Sequence, residues 1–71
     1  RMLTRQGHVV LEARHGGDAL LLWEAHAGAV QVLVTDLRMP VIGGRELAAR
    51  LRAARPTLPV VFLSGYADEA E

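Results

Sequence analysis

Val30-Gln31-Val32-Leu33-Val34-Thr35-Asp36-Leu37-Arg38-Met39-Pro40-Val41-Ile42-Gly43-Gly44 decides how this chain is read. Residues 30–35 are β-branched and nearly all apolar, as expected of a strand buried on both faces. Asp36 closes that run. A carboxylate at the C-terminal end of such a strand stands where open α/β sheets place their ligand sites. Pro40 stops regular pairing, and Gly43-Gly44 allows backbone to come close to whatever Asp36 binds. From strand position alone the competing reading is an aspartate that caps a turn.

Outward from this stretch, strands and helices alternate. Residues 1–6 read as the last turns of a helix, with Met2 and Leu3 as buried candidates and Gly7 as its stop. Residues 8–13 read as a short strand. Gly16-Gly17 breaks the chain, and Asp18 is placed to cap a helix to about His26, with Ala19, Leu22, Trp23 and His26 sharing one face. Gly28 ends it. After the loop at 36–43, residues 44–54 form a second helix, with Leu47, Leu51 and Ala54 at core spacing and Glu46 and Arg50 as an i,i+4 ion pair. Pro56 ends that helix, and Pro59 introduces a third strand at 60–63. Such alternation implies an α/β fold with parallel pairing and right-handed crossovers.

Composition narrows the function classes. Seventy-one residues make at most one small domain, and 51% hydrophobic content is too high for a disordered chain. No apolar run approaches the roughly 20 residues of a membrane span, and no leader-like segment is expected. The net charge is zero, so no bulk field points to nucleic acid or a membrane surface. Cysteine is absent, which excludes disulfides and thiolate metal sites. All eight basic residues are arginine. His8, His15 and His26 have no metal-ligand spacing and read as surface or rim residues, while Trp23 reads as core.

Asp36 with Met39-Pro40 and Gly43-Gly44, followed one βα unit later by Val60-Val61-Phe62-Leu63-Ser64-Gly65-Tyr66, resembles the receiver (response-regulator, CheY-like) domain of bacterial two-component systems. The wording at 43–48 and 63–67 is most similar to receivers of hybrid sensor histidine kinases. The resemblance implies a flavodoxin-like, doubly wound parallel sheet. It also implies that residues 1–71 are a partial receiver domain, from the end of the family's first helix to the start of its fourth. The family's first strand, which is central to its 2-1-3-4-5 order, and everything after the start of the fourth helix then lie outside the chain. Without that strand, residues 8–13 and 30–35 either leave a slot about 9–10 Å wide between them or close directly on each other. Unpaired strand edges would make the chain partly molten or prone to self-association.

The resemblance also implies the chemistry. Asp36 would be the phosphoacceptor of a phosphorelay, taking a phosphoryl group from a histidine kinase or a histidine phosphotransfer domain and signalling by conformational change. Ser64 would contact the phosphoryl group, although a Ser-Gly pair alone reads as a helix cap. Arg38 and Tyr66 would flank the pocket with Met39, Pro40 and Gly43. Magnesium in the complete domain would be held by Asp36, the Arg38 backbone carbonyl and an acidic pair outside this chain, so binding here is expected to be weak or absent. The family's lysine on the fifth strand has no counterpart. The resemblance implies a cytoplasmic module, membrane-anchored only through a sensor-kinase parent, and no enzyme in its own right. Alternatives are a stand-alone response regulator, a pseudo-receiver serving as a protein-binding surface, and an aspartate-nucleophile phosphohydrolase. The last requires a second aspartate where Arg38 stands.

Overall fold

The computed structural model of the chain describes residues 1–63. They fold as a four-stranded sheet in the order β1-β2-β3-β4, with two helices as crossovers. β2 (His8–Ala13), β3 (Val32–Asp36) and β4 (Val60–Leu63) run parallel. α1 (Gly16–His26) joins β2 to β3, and α2 (Gly44–Ala54) joins β3 to β4. This is the expected α/β, flavodoxin-like class.

The first element departs from expectation. Residues 1–6 are not a helix end; Met2–Arg5 is a strand, β1, paired antiparallel with β2 so that Met2 faces Leu11 and Arg5 faces His8. Gln6 at φ 52° and Gly7 at φ 84° make the two-residue connection, with the positive φ values that hairpin turns of this length demand. The reason is energetic: pairing with Met2–Arg5 satisfies outer backbone groups of β2 that a helix there would leave open. Gly7 therefore serves a hairpin rather than a helix stop.

The second departure concerns the sheet centre. No slot separates β2 from β3; they close directly on each other, with Val10 beside Val32, Leu11 beside Leu33 and Ala13 beside Thr35. Gln31 extends this ladder at its start. Its N–H donates to the Val9 carbonyl at 2.8 Å, and its Oε1 accepts from the Val9 N–H at 2.8 Å. Direct pairing recovers the hydrogen bonds that an open slot would forfeit.

Both crossovers step the same way across the sheet, so right-handed connections put α1 and α2 on one face. There Leu11, Ala13 and Leu33 meet Ala19 and Trp23 of α1 and Leu47, Ala48 and Leu51 of α2. The opposite face carries Val32, Val34 and Asp36, which are half-buried, with Val61 and Leu63 at 48% and 43% exposed. β3 is therefore covered on one face rather than two among the described residues.

The helices follow their patterns with small shifts. α1 starts two residues before Asp18, with His15 as an N-cap that makes no side-chain cap bond. Asp18 lies in the first turn instead, where its charge opposes the positive helix end. Ala19 and Trp23 are buried and Leu22 half-buried, but His26 is exposed, as are His8 and His15. α2 runs where expected; Leu47 and Leu51 are buried, Ala54 is exposed, and Ala48 takes its place in the core. Arg50 donates to Glu46 at 2.9 Å as anticipated. Arg55 ties the two helix ends together. Its guanidinium donates to the carbonyls of Ala27, at 2.9 Å, and Val30, and lies 5.4 Å from the Trp23 ring centroid.

The core centres on Leu33, fully buried between Leu11 and Val60 in the ladder. Leu33→Ala should destabilise the fold by about 2–5 kcal/mol. Leu21→Ala, on a side chain 67% exposed, should stay within about 0.5 kcal/mol of the parent. Urea unfolding of the two variants checks both, and equal losses would contradict the assigned core.

Candidate functional site

β3 delivers Asp36 as its last residue, beside Leu63 at the end of β4. Strand alternation turns its side chain to the face away from the helices, while Thr35 points into the core. Asp36 is half-buried. Among the described residues no hydrogen bond or ion pair engages its carboxylate. An unengaged carboxylate at a strand end is available as a nucleophile or an oxygen ligand.

The loop after Asp36 is tightly closed. The Gly44 N–H donates to the Leu37 carbonyl at 2.8 Å, drawing the start of α2 against the end of β3. Gly44 is buried, and a Cβ there would run into the Asp36 carbonyl and stand 3.0 Å from the Leu37 Cα. The sequence suggested that the glycine pair makes room for a ligand. The close approach is instead to the backbone of Asp36 itself. Gly43 is the N-cap of α2, with extended backbone at φ −73°, ψ 167° and half-buried.

Between these ends the chain turns over Val41. The Ile42 N–H donates to the Pro40 carbonyl at 2.8 Å, a three-residue γ-turn, with Val41 at φ 71°. A β-branched residue at positive φ is strained. What the turn gains is the placement of Ile42, which is buried against Gly16 at the start of α1 and belongs to the core. Val41 itself is 86% exposed.

Of the other expected site residues, Met39 is half-buried against the core, while Arg38 and Pro40 are exposed on the loop. Ser64 and Tyr66 lie outside the described residues. Thr35 and Ile42, which the sequence pattern did not single out, support the loop from within. Thr35 Oγ1 donates to the Asp36 carbonyl at 2.9 Å and lies 3.5 Å from Met39 Sδ. A hydroxyl at a core-facing position, next to Asp36 in a largely apolar run, was the available signal for Thr35.

Among the described residues, no three His, Asp or Glu side chains gather as a metal-binding group. Asp36 and the Arg38 carbonyl alone do not fit the octahedral oxygen set that magnesium requires. A cleft of about 320 Å³ opens at the end of β2, lined by Arg1, Glu12, Arg14, His15 and Asp18. Asp36 does not line it. Its charges are largely engaged with each other, Arg1 donating to Glu12 at 2.8 Å.

The chain matches the model of the Response regulator receiver domain family over residues 1–71. It is 39% identical over 70 residues to the sensor kinase CckA of Brucella abortus, covering 99% of this chain and 7% of that protein. It is 48% identical over 58 residues to the virulence sensor protein BvgS of Bordetella pertussis, covering 75% of this chain and 4% of that protein. It is also 39% identical over 72 residues to the chemotaxis protein CheY homolog of Campylobacter jejuni, covering 97% of this chain and 55% of that protein. The chain thus spans a small part of the sensor kinases and about half of the CheY homolog. No solved structure matches significantly.

The strain and the close approach give opposite expectations for two neighbouring substitutions. Val41→Gly should raise stability by about 1 kcal/mol, strain relief outweighing the added freedom of the unfolded chain. Gly44→Ala should lower it by about 1–3 kcal/mol, because backbone rather than a flexible side chain must move. Denaturant midpoints measure both; a destabilised Val41→Gly would refute the strained turn.

Proposed function

Because this chain belongs to the response regulator receiver domain family, we propose that Asp36 is its phosphoacceptor. The observation that supports the reading is the Asp36 carboxylate at the end of β3, unengaged among the described residues, on a backbone closed by Gly44. A carboxylate oxygen attacks the phosphorus of a donor phosphohistidine. The new O–P bond makes an acyl phosphate as the P–N bond breaks, and the imidazole departs with the electron pair and takes up a proton. Such transfer depends on positioning and charge neutralisation more than on covalent participation by other groups. A loop closed against the backbone of the nucleophile suits that demand.

The donor in this reading is a histidine kinase or a histidine phosphotransfer domain, and the host a hybrid sensor kinase, in keeping with the similarity to CckA and BvgS. The module works in the cytoplasm. Among the described residues no helix is long and apolar enough to cross a membrane. Ser64 is assigned to the phosphoryl oxygens, with Arg38, Met39, Pro40, Gly43 and Tyr66 around the pocket. Magnesium, where the whole receiver binds it, would take Asp36 and the Arg38 carbonyl as two of its oxygens and supply charge neutralisation.

The full-length protein, treated with acetyl phosphate and magnesium, should be labelled on Asp36, as read by borohydride trapping and mass spectrometry. Asp36→Asn should abolish the label. Labelling that survives the substitution would sink the assignment. The 71-residue chain should label far more slowly than the full-length protein.

A further inference from the structure

Thr35 is the one buried polar side chain among the described residues, with 0% of its surface exposed. A hydroxyl in such a place is unfavourable unless it is hydrogen-bonded, and valine would supply the same shape without that demand. Its bond is specific. Oγ1 donates to the carbonyl of the very next residue, Asp36, at 2.9 Å, and Met39 Sδ stands 3.5 Å away. A threonine has one proton to give, and a thioether is a weak acceptor, so the carbonyl takes the bond while the sulfur packs beside it.

The accepting group is also the one that Gly44 crowds from the other side. The Asp36–Leu37 peptide is therefore held between a hydroxyl from the core and the start of α2. Asp36 itself projects to the opposite face of the sheet, so its carboxylate direction is set by the orientation of this peptide. We propose that Thr35 is a positioning residue for phosphoryl transfer: its buried hydroxyl fixes the backbone from which the Asp36 carboxylate projects and seats Met39 against that backbone. This rests on the reading of Asp36 as phosphoacceptor. It adds a residue on the far face of the strand whose effect reaches the phosphoryl group only through Asp36.

The test compares Thr35→Val with Thr35→Ser in the full-length protein. The readouts are the rate of Asp36 labelling by acetyl phosphate and the carbonyl ¹³C resonance of Asp36. Thr35→Val should label about 10-fold more slowly, within the range that a small misplacement of a reacting group produces. Thr35→Ser should label within about twofold of the parent, since it keeps the hydroxyl. The Asp36 carbonyl resonance should move in the valine variant and stay in the serine variant. Should Thr35→Val not fold, Thr35→Ala against Thr35→Ser poses the same comparison. Equal rates in the parent and the valine variant would overturn the positioning role while leaving Asp36 as phosphoacceptor. Equal slowing in valine and serine variants would overturn it too, by assigning the effect to methyl packing. A parent protein that takes no label on Asp36 refutes the phosphoacceptor reading, and the positioning role falls with it.

Discussion

The parallel ladder between β2 and β3 carries the rest of the structure, because it decides which side chains share the core face. Leu11 beside Leu33 and Ala13 beside Thr35 give one apolar strip, and only that strip can receive both helices. A slip of one residue would send Leu33 and Thr35 to the open face and bring Val34 and Asp36 inward. Gln31, bonded to Val9 through both its N–H and its Oε1, fixes the register at the point where the strands begin to pair. Arg55 then holds the helix ends over the sheet by capping the Ala27 and Val30 carbonyls.

From that register the site is determined. Asp36 falls on the open face at the strand end, and Thr35 falls on the core face directly behind it. The loop to α2 must return within a few residues to lay Leu47 and Leu51 on the core. It does so by way of Gly44, which touches the Asp36 backbone, and Val41, which accepts an unfavourable φ so that Ile42 can be buried. The strain at Val41 is thus a consequence of closing a short loop on a packed strand end. It stays local because Ile42, buried after it, and Met39, half-buried before it, hold the turn in place.

The parts legible in the sequence were those with a strong period or a hard stop. The helix at 44–54 and the strand at 60–63 coincide with the observed elements, since Leu47 and Leu51 mark a face, Pro56 stops the helix and Pro59 opens the strand. Residues 1–6 are ambiguous in sequence because Met2-Leu3 fits a helix or a strand equally in so short a run, and only tertiary pairing with β2 decides for the strand. His26 and Ala54 keep helical spacing yet lie beyond the edge of the packed face, which no spacing rule reveals. The direct closure of β2 on β3 was one of two arrangements the sequence left open, and backbone hydrogen bonding selects it. Asp36 is legible from its place at a strand end. Thr35 is hidden by the apolar run it sits in, although its hydroxyl is the detail that run did not need.

The pairing of β2 with β3 is tested most directly by NMR of the 71-residue chain, combining amide exchange with cross-strand nuclear Overhauser effects. Slowed exchange within residues 32–36 and contacts between the Leu11 and Leu33 backbones are expected, because these residues are neighbours in one ladder. Exchange of those amides at unfolded-chain rates, or the absence of any Leu11–Leu33 contact in a folded chain, would contradict it.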